Sequence, residues 1–310
     1  MNKALLITGG SKYLGLHAGH LGAQHGFKVI LLDENTSASY PWALHIKGSY
    51  GNPKLLDQLF KDHAIDAVIH CAPFCTDFTH QSFEYYHHDL NNTITLLNAM
   101  QLYGIKKFIF ASCARVYGMQ NGKIHHDSCK DPITTSGKSK SIIEDILVDL
   151  AHNNILNLAI LRLFCVAGAL PEYNVHPSLN IITQLLRAAY TNQPFTLNVS
   201  SQTPDGTLIR DYIHTWDVAH AFLKAYYFLD HHKGSESFNI GSTKGTSIKQ
   251  LIDIVQHIAD KKITIHEEKV PIKEPSMIIA DISKAIDLLG WQPAHSDIQF
   301  IVQSTYASMR

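Results

Sequence analysis

A glycine-rich turn near the start of the chain has the residue types and spacing to bind a dinucleotide. The turn, TGGSKYLG over residues 8–15, lies between a short apolar run and a helical pattern. Backbone amides at such a turn and at the start of the next helix can bind a pyrophosphate. Asp33 ends the second apolar run, where its carboxylate can accept hydrogen bonds from an adenosine ribose. A carboxylate there repels a 2′-phosphate, so the pattern favours NAD over NADP.

Histidine and cysteine side chains could bind a metal ion. The chain has 20 His and 5 Cys, and His125, His126 and Cys129 lie close together in sequence. A structural metal site needs a second group of ligands at a suitable spacing, and the sequence has neither that nor a CxxC pair. We therefore interpret these residues as solvated loop residues and predict that the protein binds no metal.

The apolar periodicity predicts the elements that must position the glycine turn and Asp33. Apolar runs alternate with amphipathic stretches through the first half of the chain. Because parallel strands need crossover helices, this alternation predicts an α/β fold with a doubly wound parallel sheet covered on both faces. The predicted strands are 3–8, 28–32, 43–48, 67–72, 107–112 and 156–164, and the predicted helices between them are 53–63, 83–103 and 136–151.

The second half of the chain has a different organisation. After Ala169 the alternation stops, and prolines divide the chain into shorter pieces until a strand-like run returns at 238–241. We predict a dinucleotide-binding domain over residues 1–169, to which residues 206–242 return. A smaller C-terminal α/β substrate domain is predicted from residues 170–205 and 243–310.

Composition and charge exclude several classes of partner. The chain has 26 Lys and Arg against 27 Asp and Glu, so it has no basic field that would attract nucleic acid. No apolar run reaches the roughly 18 to 20 residues of a membrane span, and the first one is too short for a signal peptide. We expect a globular cytoplasmic protein with no nucleic-acid or membrane partner.

Eight segments, spread from Ala4 to Pro293, together resemble the NAD-dependent epimerase/dehydratase family of extended short-chain dehydrogenases/reductases, in particular its UDP-glucose 4-epimerases. The resemblance implies a Rossmann domain, NAD as cofactor, a UDP-hexose as ligand and a homodimer. The segments are TGGSKYLG, VILLDEN, DAVIHCA, FIFASCARVYG, GKSK, TPDGTLIRDYIHTWDVAHA, FNIGSTKG and LGWQP.

The resemblance also assigns residues to the cofactor site. Three family glycines match Gly9, position 12 and Gly15, but position 12 is Lys12. Because glycine lets the backbone approach the pyrophosphate, a lysine there should crowd the turn and weaken NAD binding. Ser49 stands where the family has an acidic residue facing the adenine. Further cofactor contacts are implied for Tyr13, Leu14, Tyr50, Cys71, Ala72 and Lys140.

The catalytic residues of the family are only partly present. Family enzymes place a Ser, a Tyr and a Lys beside the nicotinamide, and the Tyr takes the proton of the sugar 4-hydroxyl while hydride passes to NAD. Here Lys140 is retained, but Ser136 stands at the tyrosine position and Cys113 at the serine position. An aliphatic hydroxyl titrates far above a phenol, whose pKa is about 10, so Ser136 is a poor base. The resemblance thus implies an epimerase scaffold whose activity is doubtful, and a non-catalytic NAD- or nucleotide-sugar-binding or regulatory protein is the alternative.

The implied sugar-nucleotide site is also reduced. Family asparagines are replaced at Cys165 and at Ser178-Leu179. Arg210 matches a phosphate-binding arginine, whereas a second family arginine falls near Pro271, with Lys273 close by. Lysine cannot reproduce the two-pronged contact of a guanidinium with a diphosphate.

Structural interpretations remain open beside these functional ones. The glycine turn could serve helix packing alone, with Asp33 as a surface cap. Cys113 could be a small buried side chain at a strand end rather than a replacement base or nucleophile, and Arg210 could form a structural ion pair with Asp211. Apolar residues on the helix that follows Ser136 could cover the sheet rather than form a dimer interface: Ile142, Ile143, Ile146 and Leu147.

Overall fold

The structure is a computed structural model, and it describes most of the chain. The described residues are 3–11, 13–34, 39–72, 83–170, 173, 180–199, 202–269 and 274–310. Four of the residues assigned to sites from sequence, Lys12, Ser178, Leu179 and Lys273, lie outside these ranges. Their roles stay predictions.

A seven-stranded parallel sheet forms the centre of the larger part of the molecule. The strands of the described residues are β1 (Ala4–Thr8), β2 (Lys28–Asp33), β3 (Ala43–Lys47), β4 (Ile65–His70), β5 (Lys107–Cys113), β6 (Gly122–Ile124), β7 (Asn157–Leu163), β8 (Cys165–Ala167), β9 (Phe195–Val199), β10 (Ile209–His214), β11 (Ser235–Ile240), β12 (Gly245–Ser247), β13 (Ile265–Lys269) and β14 (Met277–Ala280). The large sheet has the order β11-β7-β5-β4-β1-β2-β3, and every neighbouring pair is parallel. The strand order reverses between β1 and β4, and ligands of such sheets bind in the crevice at this reversal.

Helices cover both faces of the large sheet. The helices are α1 (Tyr13–Gln24), α2 (Pro53–Asp62), α3 (Phe83–Tyr86), α4 (Asn92–Leu102), α5 (Thr135–His152), α6 (Ile181–Thr191), α7 (Thr215–Phe228), α8 (Ile248–Ala259), α9 (Ser283–Leu289) and α10 (Ile298–Ser308). Leu5 and Ile7 of β1 pack into the core beneath α1 and α7, whereas Leu6 packs into the core beneath α2, α4 and α5. This alternation within a wholly apolar strand is what a sheet covered on both faces requires. Across the described part of the chain, we find no helix with the length and apolarity needed to cross a membrane.

The predicted doubly wound sheet is confirmed, with one informative difference. The helix predicted over 83–103 contains a π-helical turn, His87–Asn91, between α3 and α4. Such a turn inserts an extra residue into a helix and is frequent at functional sites. Here Asp89 lies fully buried within the turn, and Ser139 Oγ donates a hydrogen bond of 2.5 Å to its Oδ2.

A smaller unit follows along the second half of the chain. Its larger sheet has the order β12-β10-β14-β6, with β8 paired to β10, and β9 pairs with β13 in a separate parallel ribbon. The helices α6, α8 and α10 contribute to a core of their own. The smaller sheet takes β6 and β8 from residues 1–169 and β10 from residues 206–242, whereas β11 joins the large sheet. The smaller sheet therefore contains strands from both predicted domains. The domain boundaries expected from sequence stay a prediction.

Two buried histidines, His17 of α1 and His214 at the end of β10, are neutral and hydrogen-bond to backbone groups. His17 Nδ1 donates to Tyr13 O at 2.6 Å, and its Nε2 accepts from Leu170 N at 3.1 Å. At the start of α7, His214 Nδ1 accepts from Trp216 N at 3.0 Å. Burial lowers the pKa of each of these two histidines to about 4. Protonation would replace an acceptor nitrogen with a donor and break a backbone contact in each case.

We expect this arrangement to make the free energy of unfolding depend on pH. In the unfolded chain a histidine has a pKa of about 6.5, so below that pH the unfolded state binds protons that the folded state does not. Stability should therefore fall as the pH drops from about 6.5 towards about 4, the folded-state pKa of His17 and His214. Urea unfolding at several pH values measures this slope.

A single substitution isolates the contribution of His214. His214→Asn keeps an oxygen that can accept from Trp216 N and removes the titrating ring, so the slope should become shallower. The matched control, His231→Asn, changes an exposed histidine and should leave the slope unchanged. A His214→Asn variant with the wild-type slope would contradict this explanation.

Candidate active site

The glycine turn closes tightly against the start of α1. Gly9 has a φ of +68°, and a Cβ there would lie 3.1 Å from Ala72 N. A Cβ on Gly15 would lie 2.4 Å from Gly9 O. Gly10, which the sequence interpretation did not single out, is equally restricted, because its Cβ would lie 2.8 Å from Ile7 O. The glycines thus bring the N-terminal amides of α1 to the crevice beside β4.

Asp33 lies inside the turn region rather than on the surface. Its side chain is at the end of β2 and the residue is only 5% exposed. Its Oδ2 accepts a hydrogen bond of 3.3 Å from Ser11 N. The surface-cap interpretation is therefore wrong, and Asp33 stands where a ribose of a dinucleotide on the turn would lie.

Several buried polar atoms near the glycine turn and Lys140 could form further hydrogen bonds. Among the described residues, Ser11 Oγ, Tyr50 OH and Asp89 Oδ1 are buried without a hydrogen-bond partner. Burial, together with the charges of Asp89 and Glu34, raises the pKa of Tyr50, so its hydroxyl stays a donor. Ser49, before Tyr50, has its Oγ accepting from Gly51 N at 3.2 Å. Because buried polar groups are normally paired, these atoms fit a polar ligand such as NAD.

Lys140 reaches from α5 to the end of β4. Its Nζ donates to Ala72 O at 3.4 Å and lies 4.6 Å from the ring centroid of Phe110. Burial raises the pKa of Asp89, and the charge of Lys140 acts against that rise. Cys71 is adjacent to Ala72, and burial raises the pKa of its thiol to about 12, so the thiol is unreactive. The structure thus brings together Lys140, Cys71 and Ala72, as the cofactor assignment requires.

Tyr13 and Leu14, at the start of α1, have different surroundings. The hydroxyl of Tyr13 donates to Gly168 O, and burial raises its pKa well above the usual value. This phenol therefore connects α1 to the chain after β8 and stays protonated. Leu14 lines a cavity beside Lys140.

Ser136 lies at the start of α5 against a guanidinium group. Thr134 caps the helix by accepting from Gly137 N at 3.1 Å. Arg115, in the 3₁₀ turn that directly follows β5, donates from Nη1 to Ser136 Oγ at 3.2 Å. A Cβ on Gly137 would lie 2.6 Å from Arg115 O, so the helix packs directly on this turn. Arginine stays protonated in proteins, and hence it cannot take a proton from Ser136.

Tyr117 does not replace the missing phenol. Its hydroxyl donates to Asn239 Oδ1 at 2.6 Å and accepts from Arg162 Nη1 at 2.9 Å. The residue is 1% exposed, and burial raises its pKa. Among the described residues, no tyrosine lines the cavity beside Lys140.

A buried ion pair between β7 and α5 also binds the end of β5 through Ser112. Arg162 Nη2 and Glu144 Oε2 are 2.8 Å apart, and Ser112 Oγ donates to Glu144 Oε1 at 2.5 Å. Lys130 Nζ lies 3.5 Å from Glu144 Oε2. Removing one partner of such a pair leaves a buried charge and typically costs about 3–5 kcal/mol. The network fixes the strand end that carries Cys113 relative to the helix that carries Ser136.

A cavity of about 430 Å³ opens beside Lys140. It extends from Leu14 and Cys71 to Arg210, and Cys113 and Cys165 are among its lining residues. Burial raises the pKa of Cys165, and the charges of Arg210 and Arg115 oppose the rise. The structure therefore brings Lys140 and Cys113 together with Cys165 and Arg210 in one lining. Ser136 is not among the lining residues and contacts the lining residue Arg115.

Arg210 has a different partner from the one considered in the sequence. Its Nη2 donates to Glu274 Oε2 at 3.0 Å, and its Nη1 donates to Pro275 O at 2.9 Å. The carboxylate of Asp211 points elsewhere and accepts hydrogen bonds from Ser242 N, Thr243 N and Ala280 N. The interpretation of an Arg210–Asp211 ion pair is therefore wrong.

The residues considered as metal ligands, His125, His126 and Cys129, are not among the residues that line this cavity. Ligand atoms of His125, His126 and Asp127 lie within 4.8 Å of one another, and His126 Nε2 is 3.1 Å from Asp127 Oδ1. Cys129, which the sequence placed with these histidines, is exposed and does not belong to the group. A surface His–Asp contact explains the arrangement, so we assign no metal to it.

Arg115 and Asp89 are the site residues that the sequence analysis missed. Arg115 follows Cys113 by two positions at a strand end, which is the only signal that pointed to it. Asp89 lies inside a stretch with an ordinary helical pattern, and nothing in that pattern indicates a buried carboxylate.

The close packing at Gly15 makes a direct test of the turn possible. Gly15→Ala adds a Cβ that would lie 2.4 Å from Gly9 O, so the turn must open and the affinity for NAD should fall at least about 10-fold. Isothermal titration with NAD measures the loss. Gly22→Ala in the same helix is the control, since its Cβ would meet side-chain atoms and no backbone, namely Leu5 Cδ1 at 3.3 Å and Val29 Cγ2 at 3.5 Å. Equal NAD affinity of the two variants would show that the turn is not the NAD site.

Comparison with known proteins shows the family to which the chain belongs. The sequence profile of the NAD dependent epimerase/dehydratase family matches residues 5–241. The UDP-glucose 4-epimerase of Azospirillum brasilense is 31% identical over 97% of this chain and 90% of that protein. That of Lacticaseibacillus casei is 31% identical over 97% of this chain and 95% of that protein.

Solved structures give the same result. The UDP-glucose 4-epimerase of Stenotrophomonas maltophila, with bound NAD and formylated UDP-arabinopyranose, has a TM-score of 0.92 and 26% identity, covering 99% of this chain and 98% of that chain. The enzyme of Bifidobacterium longum, in complex with NAD+ and UDP, has a TM-score of 0.88 and 26% identity at 99% and 98% coverage. The expected fold and cofactor class are those of these proteins, and the chain belongs to the NAD-dependent epimerase/dehydratase family as a UDP-glucose 4-epimerase-like member.

Proposed function

We propose that this protein binds NAD and a UDP-hexose on the epimerase scaffold without efficient 4-epimerisation. The observation that carries the proposal is the hydrogen bond of 3.2 Å from Arg115 Nη1 to Ser136 Oγ. It supports the proposal because Ser136, at the sequence position to which the family resemblance assigns the proton-accepting phenol, has an aliphatic hydroxyl with a permanent cation beside it.

The NAD part of the proposal rests on residues that fit the cofactor. The turn offers backbone amides for the pyrophosphate, and Asp33 offers a carboxylate for the adenosine ribose. Unpartnered buried atoms around the crevice can pair with the cofactor's polar groups. When bound, NAD supplies a hydride acceptor. The residues that would hold it are Gly9, Gly15, Asp33, Ser49, Tyr50, Cys71, Ala72 and Lys140, with Lys12 predicted to weaken binding.

The nucleotide-sugar part rests on the cavity. Its volume of about 430 Å³ suits a small-molecule ligand, and it adjoins the residues proposed for the cofactor. Arg210 lies in its wall and would bind a phosphate, while Cys165 would face the ligand. Ser178, Leu179 and Lys273 would complete the site.

Among the described residues around Ser136, none is suited to take the proton of the sugar hydroxyl. Ser136 is a poor base, Arg115 has no acceptor nitrogen at neutral pH, and Tyr117 is engaged elsewhere. Loss of a positioned general base typically costs about 10²- to 10⁴-fold in rate. Lys140 is retained, which favours slow epimerase activity as the second candidate function. The regulatory or binding role is the one that these residues support better.

Restoring the phenol tests this interpretation. The wild type should interconvert UDP-glucose and UDP-galactose very slowly, whereas Cys113→Ser/Arg115→Ala/Ser136→Tyr should be at least about 10²-fold faster. The double variant that keeps Arg115 should stay slow, because the guanidinium and a tyrosine ring compete for the same space. Adding Lys140→Met to the triple variant is the control and should abolish the gain. Rapid turnover by the wild type would refute the proposal.

We also propose that the protein is a cytoplasmic homodimer that pairs through α4 and α5. Ile94 of α4 and Ile142 of α5 are each 42% exposed. Of the other α5 residues considered from sequence, Ile143 and Leu147 are buried against the sheet and Ile146 is partly buried there. Only part of the apolar surface of α5 is therefore available to a partner.

Solution mass tests the dimer. Ile94→Lys/Ile142→Lys should convert a dimer into a monomer in light scattering, because it places charges in an apolar interface. The control Ile286→Lys changes a residue on α9 that is 45% exposed and should leave the dimer intact. A monomeric wild-type protein would contradict the proposed assembly.

A further inference from the structure

Asp89 has a buried carboxylate to which the proposed function gives no role. The residue lies in the π-helical turn His87–Asn91 and is fully buried. Its Oδ2 accepts a hydrogen bond of 2.5 Å from Ser139 Oγ, whereas its Oδ1 is buried without a hydrogen-bond partner. Burial of a carboxylate is costly unless a nearby cation or a ligand compensates for it.

Hydrogen bonds hold this carboxylate at the crevice of the large sheet. Thr93 Oγ1 donates to Asp89 O at 2.6 Å and lies 3.1 Å from His70 Nε2. His70 Nδ1 in turn lies 2.6 Å from Thr8 Oγ1. Because Thr8 ends β1 and His70 ends β4, the π-helical turn is connected to the two strands between which the strand order reverses.

Lys140 is the buried cation that acts on Asp89. It directly follows Ser139, the residue that donates to Asp89, and it is 4% exposed. Its Nζ donates to Ala72 O, just after β4. Burial raises the pKa of Asp89, and the charge of Lys140 and the hydrogen bond from Ser139 act against that rise. The two residues therefore form a buried pair of opposite charges at the end of β4.

Three further titratable side chains interact with this pair. Burial lowers the pKa of His70 well below its usual value, and burial raises the pKa of Tyr50, so both side chains are neutral. His88, the third, is partly exposed, and its Nε2 lies 3.6 Å from Glu34 Oε1. The buried charges here are thus those of Lys140 and Asp89, and they offset each other.

Charge beside the nicotinamide determines which oxidation state of the cofactor binds more tightly. The oxidised ring has a formal positive charge, and the reduced ring is neutral. The family resemblance assigns Lys140 to the nicotinamide end of the cofactor. A lysine alone would repel the oxidised ring, and a carboxylate near the lysine reduces that repulsion. With Ser136 at the tyrosine position, this chain has no phenolate there that could offset the lysine.

We infer that Asp89 sets the preference of the cofactor site for NAD+ over NADH by offsetting the charge of Lys140. This inference rests on the proposed function, because it requires that NAD binds with its nicotinamide beside Lys140. It assigns to the π-helical turn a role in selecting the oxidation state of the cofactor.

Competition between NAD+ and NADH, followed by the fluorescence of bound NADH, tests the inference. Asp89→Asn keeps the shape of the side chain and an oxygen that can accept from Ser139, and it removes the charge. The ratio of the dissociation constant of NADH to that of NAD+ should fall about 10-fold, the order expected when one unit charge is removed from a partly buried site.

Two further substitutions separate the charge from its structural setting. Asp145→Asn changes an exposed carboxylate on the same helix as Lys140 and should leave the ratio unchanged. Lys140→Met should raise the ratio, because it removes the repelling cation. Adding Asp89→Asn to Lys140→Met should lower the ratio again, and this comparison replaces the single variant if Asp89→Asn alone does not fold.

The outcomes distinguish this inference from the proposed function. An unchanged ratio on removal of the Asp89 charge would overturn the inference and leave NAD binding intact. An equal loss of affinity for NAD+ and NADH would show that Asp89 has only a structural role and would overturn it too. Failure of the wild type to bind either form would refute the proposed function and this inference with it.

Discussion

The contact between Arg115 and Ser136 decides what the rest of the site can do. It joins the turn after β5 to the start of α5, which are also held together by the packing of Gly137 on Arg115 O. The permanent cation at this point offers no atom that can accept a proton, so the retained Lys140 lacks the phenol whose pKa it would lower.

The structure around this contact has the features of the family scaffold. The glycine turn, the buried Asp33 and the reversal of strand order still form a crevice suited to a dinucleotide. The buried pair of Glu144 and Arg162 joins α5 to β7, and Ser112 of β5 donates to the same carboxylate. These features depend on backbone packing and on buried charge, which are costly to change. Under the proposed function, the absence of a phenol at position 136 would lower activity without disturbing this packing.

The sequence predicted the large sheet well because each strand there is a continuous apolar run and each crossover is amphipathic. The tight turn at Gly9 and Gly15 and the strand end at Asp33 were predictable because both have local signatures, whereas their role in cofactor binding stays a prediction. The two units proved harder to separate. Strands of three residues, such as β6 and β8, are too short to show a period, so their place in the smaller sheet could not be read from sequence.

The missed site residues depend on contacts between distant segments. Arg115 and Ser136 are 21 residues apart, and their hydrogen bond follows from how α5 packs on the turn after β5. Asp89 becomes part of the site through a π-helical turn and through Ser139, which is 50 residues away in the chain. Arg210 forms an ion pair with Glu274, 64 residues further along the chain, rather than with its neighbour Asp211. No local pattern determines such partners.

The oxidation state of the cofactor in the presence of sugar gives the most direct test. The NAD-loaded protein can be mixed with UDP-glucose or UDP-galactose while the absorbance and fluorescence of reduced nicotinamide are followed over a single turnover. We expect the nicotinamide to stay oxidised, because none of the described groups beside Ser136 is suited to remove the hydroxyl proton that must leave with the hydride. Prompt formation of reduced nicotinamide would show that this site still transfers both and would contradict the role assigned to Arg115.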